Sequence, residues 1–193
     1  MNDLVSIVSL IVIIITTLTI IWAGGWRWIL ISLALQYIAV FLLVSQVWPI
    51  SLAAIKLITG WMAAAVLGAS HQTVELQEKQ IPLSGKIFRI LAGCLMFVLV
   101  FSVAREAQKW IPLEVLSLTG GLILIGMGLF QLGLAGKPLN LIVGLLTTLS
   151  GFEVIYAAVV SSVLVTGLLS LVTMGIALVG AYWMISPSLE ENQ

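Results

Sequence analysis

The chain has 193 residues, of which 61% are hydrophobic and 8% charged, with a formal net charge of zero. Soluble domains carry roughly 25% charged residues, so this composition excludes an ordinary soluble domain, and the balanced charge gives no electrostatic reason to expect a nucleic-acid partner. One cysteine (Cys94) and one histidine (His71) exclude an intrachain disulfide, a bis-His haem and a Cys-rich zinc or iron–sulfur site, so no cofactor is expected.

An α-helix rises ~1.5 Å per residue, so about 20 apolar residues cross the ~30 Å hydrocarbon core of a bilayer. By that measure residues 4–23, 27–45, 48–68, 86–104, 112–132, 138–160 and 162–185 read as membrane helices. The fold class is therefore all-α integral membrane, a bundle of about seven transmembrane helices. The first segment lacks the positive n-region of a secretory signal, and its apolar run is long; it reads as a helix that stays on the protein. Pro49, Pro112 and Pro138 fall at helix starts, where the missing N–H does no harm. The last two segments are divided only around Ser161 and Ser162, which leaves a six-helix count with one long helix open.

Short connections make successive helices antiparallel neighbours. Residues 70–84 form the one clearly polar loop and the candidate docking surface in water, and residues 187–193 read as a polar tail. The chain divides into an N-terminal four-helix segment (1–110), a C-terminal three-helix module (111–186) and that tail. Glycine and serine are frequent in the module, and small residues let membrane helices approach closely, so the C-terminal half reads as the tightly packed part.

One side of the predicted bundle carries Arg27, Lys79, Lys86, Arg89 and Lys137, the other Arg105 and Lys109. The positive-inside rule makes the first side cytoplasmic, with the N-terminus outside and the C-terminus inside. Trp22, Trp26, Trp28 and Trp183 mark one interfacial belt, and Trp48 and Trp110 the other.

Two charged residues lie well within predicted spans, Lys56 and Glu153. A charge there costs several kcal/mol unless it is paired, protonated or hydrated, and such a residue is by default a functional hypothesis. Counting along their helices puts both about 10–12 Å below the same predicted boundary, so a lysine and a glutamate at one depth can pair. The functional reading is a protonatable pair on a hydrated path; the structural one is a static ion pair, or Lys56 snorkelling alone. Tyr156, three residues from Glu153, falls on the same helix face, where it can bond the carboxylate or only pack. Gln36 is mid-helix and reads as an interhelical hydrogen-bonding residue or a member of the path. Gln131 reads as interfacial or as lining the mouth of a path. Arg89 and Lys86 read as ordinary residues of a basic helix end, Glu114 and Arg105 as interfacial charges that pair with headgroups, water or each other, and His71 as a solvated loop residue.

The last three helices carry a resemblance. The run GGLILIGMGLFQLGLAGKPLNLIVGLLTTLSGFEVIYAAVV, residues 120–160, precedes a Ser/Gly-rich helix that ends near Trp183. A Gly-rich helix, a basic turn at Lys137–Pro138, a helix opening with Asn140 and Leu141, an inner Gly144 and an intramembrane Glu153 resemble the three-helix subunit K of bacterial complex I. They also resemble the related C subunit of multisubunit sodium/proton antiporters. The total length and the extra N-terminal helices are similar to hydrogenase-4 component E. Two departures stand out: the family's carboxylate aligns about one turn earlier, near Leu149, and residues 162–185 contain no acid.

The resemblance implies a membrane subunit that is not catalytic by itself, in a prokaryotic plasma membrane or another energy-transducing membrane, packed beside larger antiporter-like subunits of a proton or sodium pump, with Glu153 and Lys56 on a proton path. The alternatives are a structural or assembly subunit without a transport role and a small stand-alone transporter. A lipid-modifying enzyme is the weakest reading, because Glu75, Glu78 and His71 show no metal-ligand spacing.

Overall fold

The computed structural model describes residues 2–22, 24–72, 83–110, 114–160 and 162–190. Among them are seven helices: α1 (Asn2–Trp22), α2 (Trp26–Val44), α3 (Ile50–Gln72), α4 (Leu83–Ala107), α5 (Val115–Gly133), α6 (Pro138–Val159) and α7 (Val163–Glu190). Each is long and apolar enough to cross a membrane, and the protein is a seven-helix membrane bundle.

The six-helix alternative is excluded by the backbone after α6. Val160 is extended (φ −141°, ψ 130°) and stops the helix. Ser162 opens the next: its carbonyl accepts Thr166 N–H at 3.0 Å and its Oγ accepts Val165 N–H at 3.5 Å, a capping role suited to serine. Pro138 takes the first turn of α6, as expected for a residue without an N–H. The polar loop is shorter than its composition implies: residues 70–72 finish α3 and residues 83–84 begin α4. Its centre, with Glu75, Glu78 and Lys79, lies outside the described residues. The tail also starts later than expected, because α7 runs on to Glu190.

The helices stack in two layers, α1–α2–α3 against α4–α5–α6–α7. Across the layers α1 meets α4 and α5, α2 meets α6, and α3 meets α7. Because successive helices alternate in direction, α2 runs parallel to α6 and α3 parallel to α7. The second, fifth and sixth helices form the buried centre, while α4 and α7 expose long apolar faces, with Leu91, Leu95, Leu164 and Leu171 among the most open side chains. In a bilayer such faces need no burial within the chain.

The closest helix pair is α5 with α6, and glycine makes it so. A Cβ on Gly151 would stand 2.5 Å from the Gly121 carbonyl oxygen and 2.7 Å from Ile125 N, and one on Gly128 would collide with Thr148. The expectation of tight glycine packing holds for this pair but only in part for α7: Gly180 sits against Ile142, whereas Gly167 and Gly175 face open space. Of the two expected outer tryptophans, Trp110 is exposed whereas Trp48 is buried, so Trp48 is a core residue rather than part of a belt.

Candidate functional site: a buried ion pair between the layers

Lys56 and Glu153 meet. Lys56 Nζ donates to Glu153 Oε1 at 2.7 Å, and each residue is 2% exposed. Lys56 belongs to α3 and Glu153 to α6, helices that lie diagonally across the two layers. The lysine stem spans that diagonal and passes the face of α7, where Nζ also reaches the Thr166 carbonyl at 3.4 Å.

The surroundings explain how a lysine fits there. The α7 face that meets α3 carries Thr166, Ser170 and Thr173, all buried. Each hydroxyl donates to the carbonyl four residues back, to Ser162, Thr166 and Leu169 respectively, so these residues are tolerated in an apolar helix. The Thr173 hydroxyl is also within hydrogen-bonding reach of the Glu153 carboxylate. On α2, Tyr37 is buried, hydrogen-bonded with Ser150 of α6 and close enough to Glu153 to feel its charge. One turn beyond Lys56, Gly60 makes room for the Tyr37 ring, since a Cβ there would overlap it.

These groups share a level. Lys56 is the sixth residue after the start of α3, Glu153 lies six residues before the end of α6, and Tyr37 seven before the end of α2. At ~1.5 Å per residue all three are roughly 9–11 Å from the same end of the bundle. Two charges are thus held within the hydrocarbon zone, with oxygen and nitrogen partners from α3, α6 and α7.

The other expected site residues fall differently. Gln36 is fully buried, yet neither its amide nitrogen nor its oxygen has a partner among the described residues, so the expected interhelical hydrogen bond is not made. Its neighbour Tyr37, turned about 100° around the helix, is the one that reaches α6. Tyr156 does not bond Glu153; its ring stacks on Phe152 at 6.1 Å and packs on the apolar core beside Val154 and Ala157. Three residues along a helix leave a rotation of about 60°, enough to turn Tyr156 away from the carboxylate. Glu114 does not pair with Arg105; its two oxygens accept from Ser6 and Ser117, each at 3.3 Å. His71 is not a solvated loop residue but ends α3, stacked on Trp26 with ring centroids 4.9 Å apart. Among the described residues no cluster of His, Cys, Asp or Glu could hold a metal ion.

Sequence reasoning missed Tyr37, Ser150, Thr166 and Thr173. The available signal was the buried-face spacing of α2, Leu33–Tyr37–Val40, with a phenol where an aliphatic residue is ordinary, and Gly60 one turn from Lys56 as a notch. Chemically, the arrangement can hold a proton on either member of an acid–base pair, with the Thr173 hydroxyl beside the carboxylate. No protein-family model, curated protein or solved structure matches this chain.

Proposed function

We propose that this chain is a membrane subunit of a multi-subunit, complex I-like or antiporter-like ion-translocating assembly, and that Lys56 and Glu153 lie on its proton path. The buried 2.7 Å pair carries the reading. A lysine and a glutamate kept between apolar helices are costly, and intramembrane ionisable pairs of this kind mark ion and proton routes. The resemblance of residues 120–160 to subunit K adds the kind of assembly, with larger antiporter-like subunits as partners. Gln36, buried and without a partner among the described residues, adds a further polar group at this level, next to Tyr37 in sequence. Tyr156 is not part of the proposed path. The test is proton uptake by the purified, reconstituted assembly: Glu153→Gln abolishes it while the assembly still forms.

A second reading has an observation in its favour. Both charges have α7 beside them, Lys56 reaching the Thr166 carbonyl at 3.4 Å and Glu153 lying within reach of the Thr173 hydroxyl, as in a static pair that fixes α3, α6 and α7 together. A scaffold of that kind predicts that Glu153→Gln weakens the bundle and leaves transport per assembled complex unchanged.

A further inference from the structure

A cleft at the opposite end of the bundle is lined by Ile20 and Ile21 of α1, Arg89 of α4, Gln131 and Leu134 next to the end of α5, and Asn140 of α6. All of these lie where α1 and α5 end and where α4 and α6 begin. The cleft belongs to neither the ion pair nor its polar surroundings, and its chemistry is independent of the ion-translocating reading.

Three features of that chemistry agree. Arg89 is half-buried and makes no ion pair among the described residues, where the ion pairs are Lys56–Glu153 and Lys109–Glu106. Gln131 is 6% exposed, and it lines the cleft beside Arg89. Asn140 stands in the first turn of a 22-residue helix that has no side-chain cap, so unpaired backbone N–H groups and the positive end of the helix dipole lie at the same place. A guanidinium, two amides and a helix N-terminus together suit a phosphate group.

The position names the carrier of that phosphate. Ile87, Phe88, Ile90 and Leu91, on either side of Arg89, are largely exposed, and the apolar span of α4 begins at Ile87. Arg89 therefore sits at the boundary between hydrocarbon and headgroups, with open apolar helix surface leading away from it. Basic pockets between membrane helices at this level take anionic lipid headgroups.

We propose that Arg89, Gln131 and Asn140 form a binding site for the phosphodiester of an anionic phospholipid whose acyl chains lie along the exposed face of α4. The full chain, purified in mild detergent, is offered phosphatidylglycerol or phosphatidylcholine, and retained lipid is measured by native mass spectrometry. The site predicts preferential retention of phosphatidylglycerol. Arg89→Gln is expected to lower that preference about five-fold, the worth of one basic residue at an anionic membrane surface, and Arg89→Lys to restore most of it. Gln131→Leu, which keeps the charge and the apolar volume, is expected to lower it as well, whereas Lys109→Gln, at the other end of the bundle, is expected to leave it unchanged. Equal retention of the two lipids, or a preference that survives both Arg89→Gln and Gln131→Leu, overturns the proposal. Displacement of the lipid by millimolar inorganic phosphate overturns its lipid-specific form and assigns the site to a small soluble phosphate.

Discussion

Removing one member of the ion pair should do far more harm than removing both. At 2.7 Å the Coulomb attraction is about 6 kcal/mol for an effective dielectric of about 20. Taking each ion out of water costs several kcal/mol, so attraction and desolvation nearly cancel and the intact pair adds little net stability. A single substitution keeps one desolvation cost and loses the attraction. Lys56→Met and Glu153→Gln are therefore each expected to destabilise the bundle by about 3–5 kcal/mol. The double variant removes both costs and is expected within about 1–2 kcal/mol of the parent chain, giving a coupling of several kcal/mol. Unfolding in mixed micelles of mild detergent and dodecyl sulfate, followed by the fluorescence of the seven tryptophans, measures all four corners of the cycle. If the two single effects simply add in the double variant, the pair is not energetically coupled, and the balance of attraction against desolvation is refuted.

Glycine substitutions should separate close contact from open surface. Gly151→Val places new atoms against the α5 backbone and is expected to cost at least about 1–3 kcal/mol, whereas Gly175→Ala, which meets nothing within 4 Å, is expected to be neutral or stabilising by up to about 1 kcal/mol in the same unfolding assay. Gly60→Ala forces the Tyr37 ring aside; it should destabilise the bundle, and Tyr37→Leu combined with it should recover part of the loss. Tyr37→Phe removes only the bond with Ser150 and should cost about 0.6 kcal/mol, the average for an interhelical hydrogen bond in a membrane, so any large fall in proton uptake by that variant reports on the path and not on folding.

The seven spans were legible because hydrophobic length alone selects membrane helices, and the matching depths of Lys56 and Glu153 came from counting residues to the helix ends. Their contact was not legible. It depends on α3 lying next to α7 and diagonal to α6, and helices far apart in sequence announce no neighbours. The hydroxyls around the pair were hidden for a different reason. Threonine and serine in an apolar helix usually bond their own backbone, as Thr166, Ser170 and Thr173 do, so nothing in the sequence distinguishes those that also face a charge. Glycine was equally ambiguous: Gly151 and Gly175 look alike in sequence, and only the partner helix decides that one touches backbone and the other nothing. Aromatic residues at the helix ends misled in the same way. Trp48 has the composition of an interfacial anchor, but the turn between α2 and α3 carries it inward.

Proton uptake separates a path through Glu153 from a scaffold most directly. The assembly that co-purifies with a tagged copy of this chain from native membranes is reconstituted into vesicles and compared with its Glu153→Gln form at equal assembled amount. A proton path through the pair predicts large hydrophobic partner subunits in both preparations and uptake in the first alone. Undiminished uptake by the Glu153→Gln assembly, or recovery of this chain without partners, would contradict it.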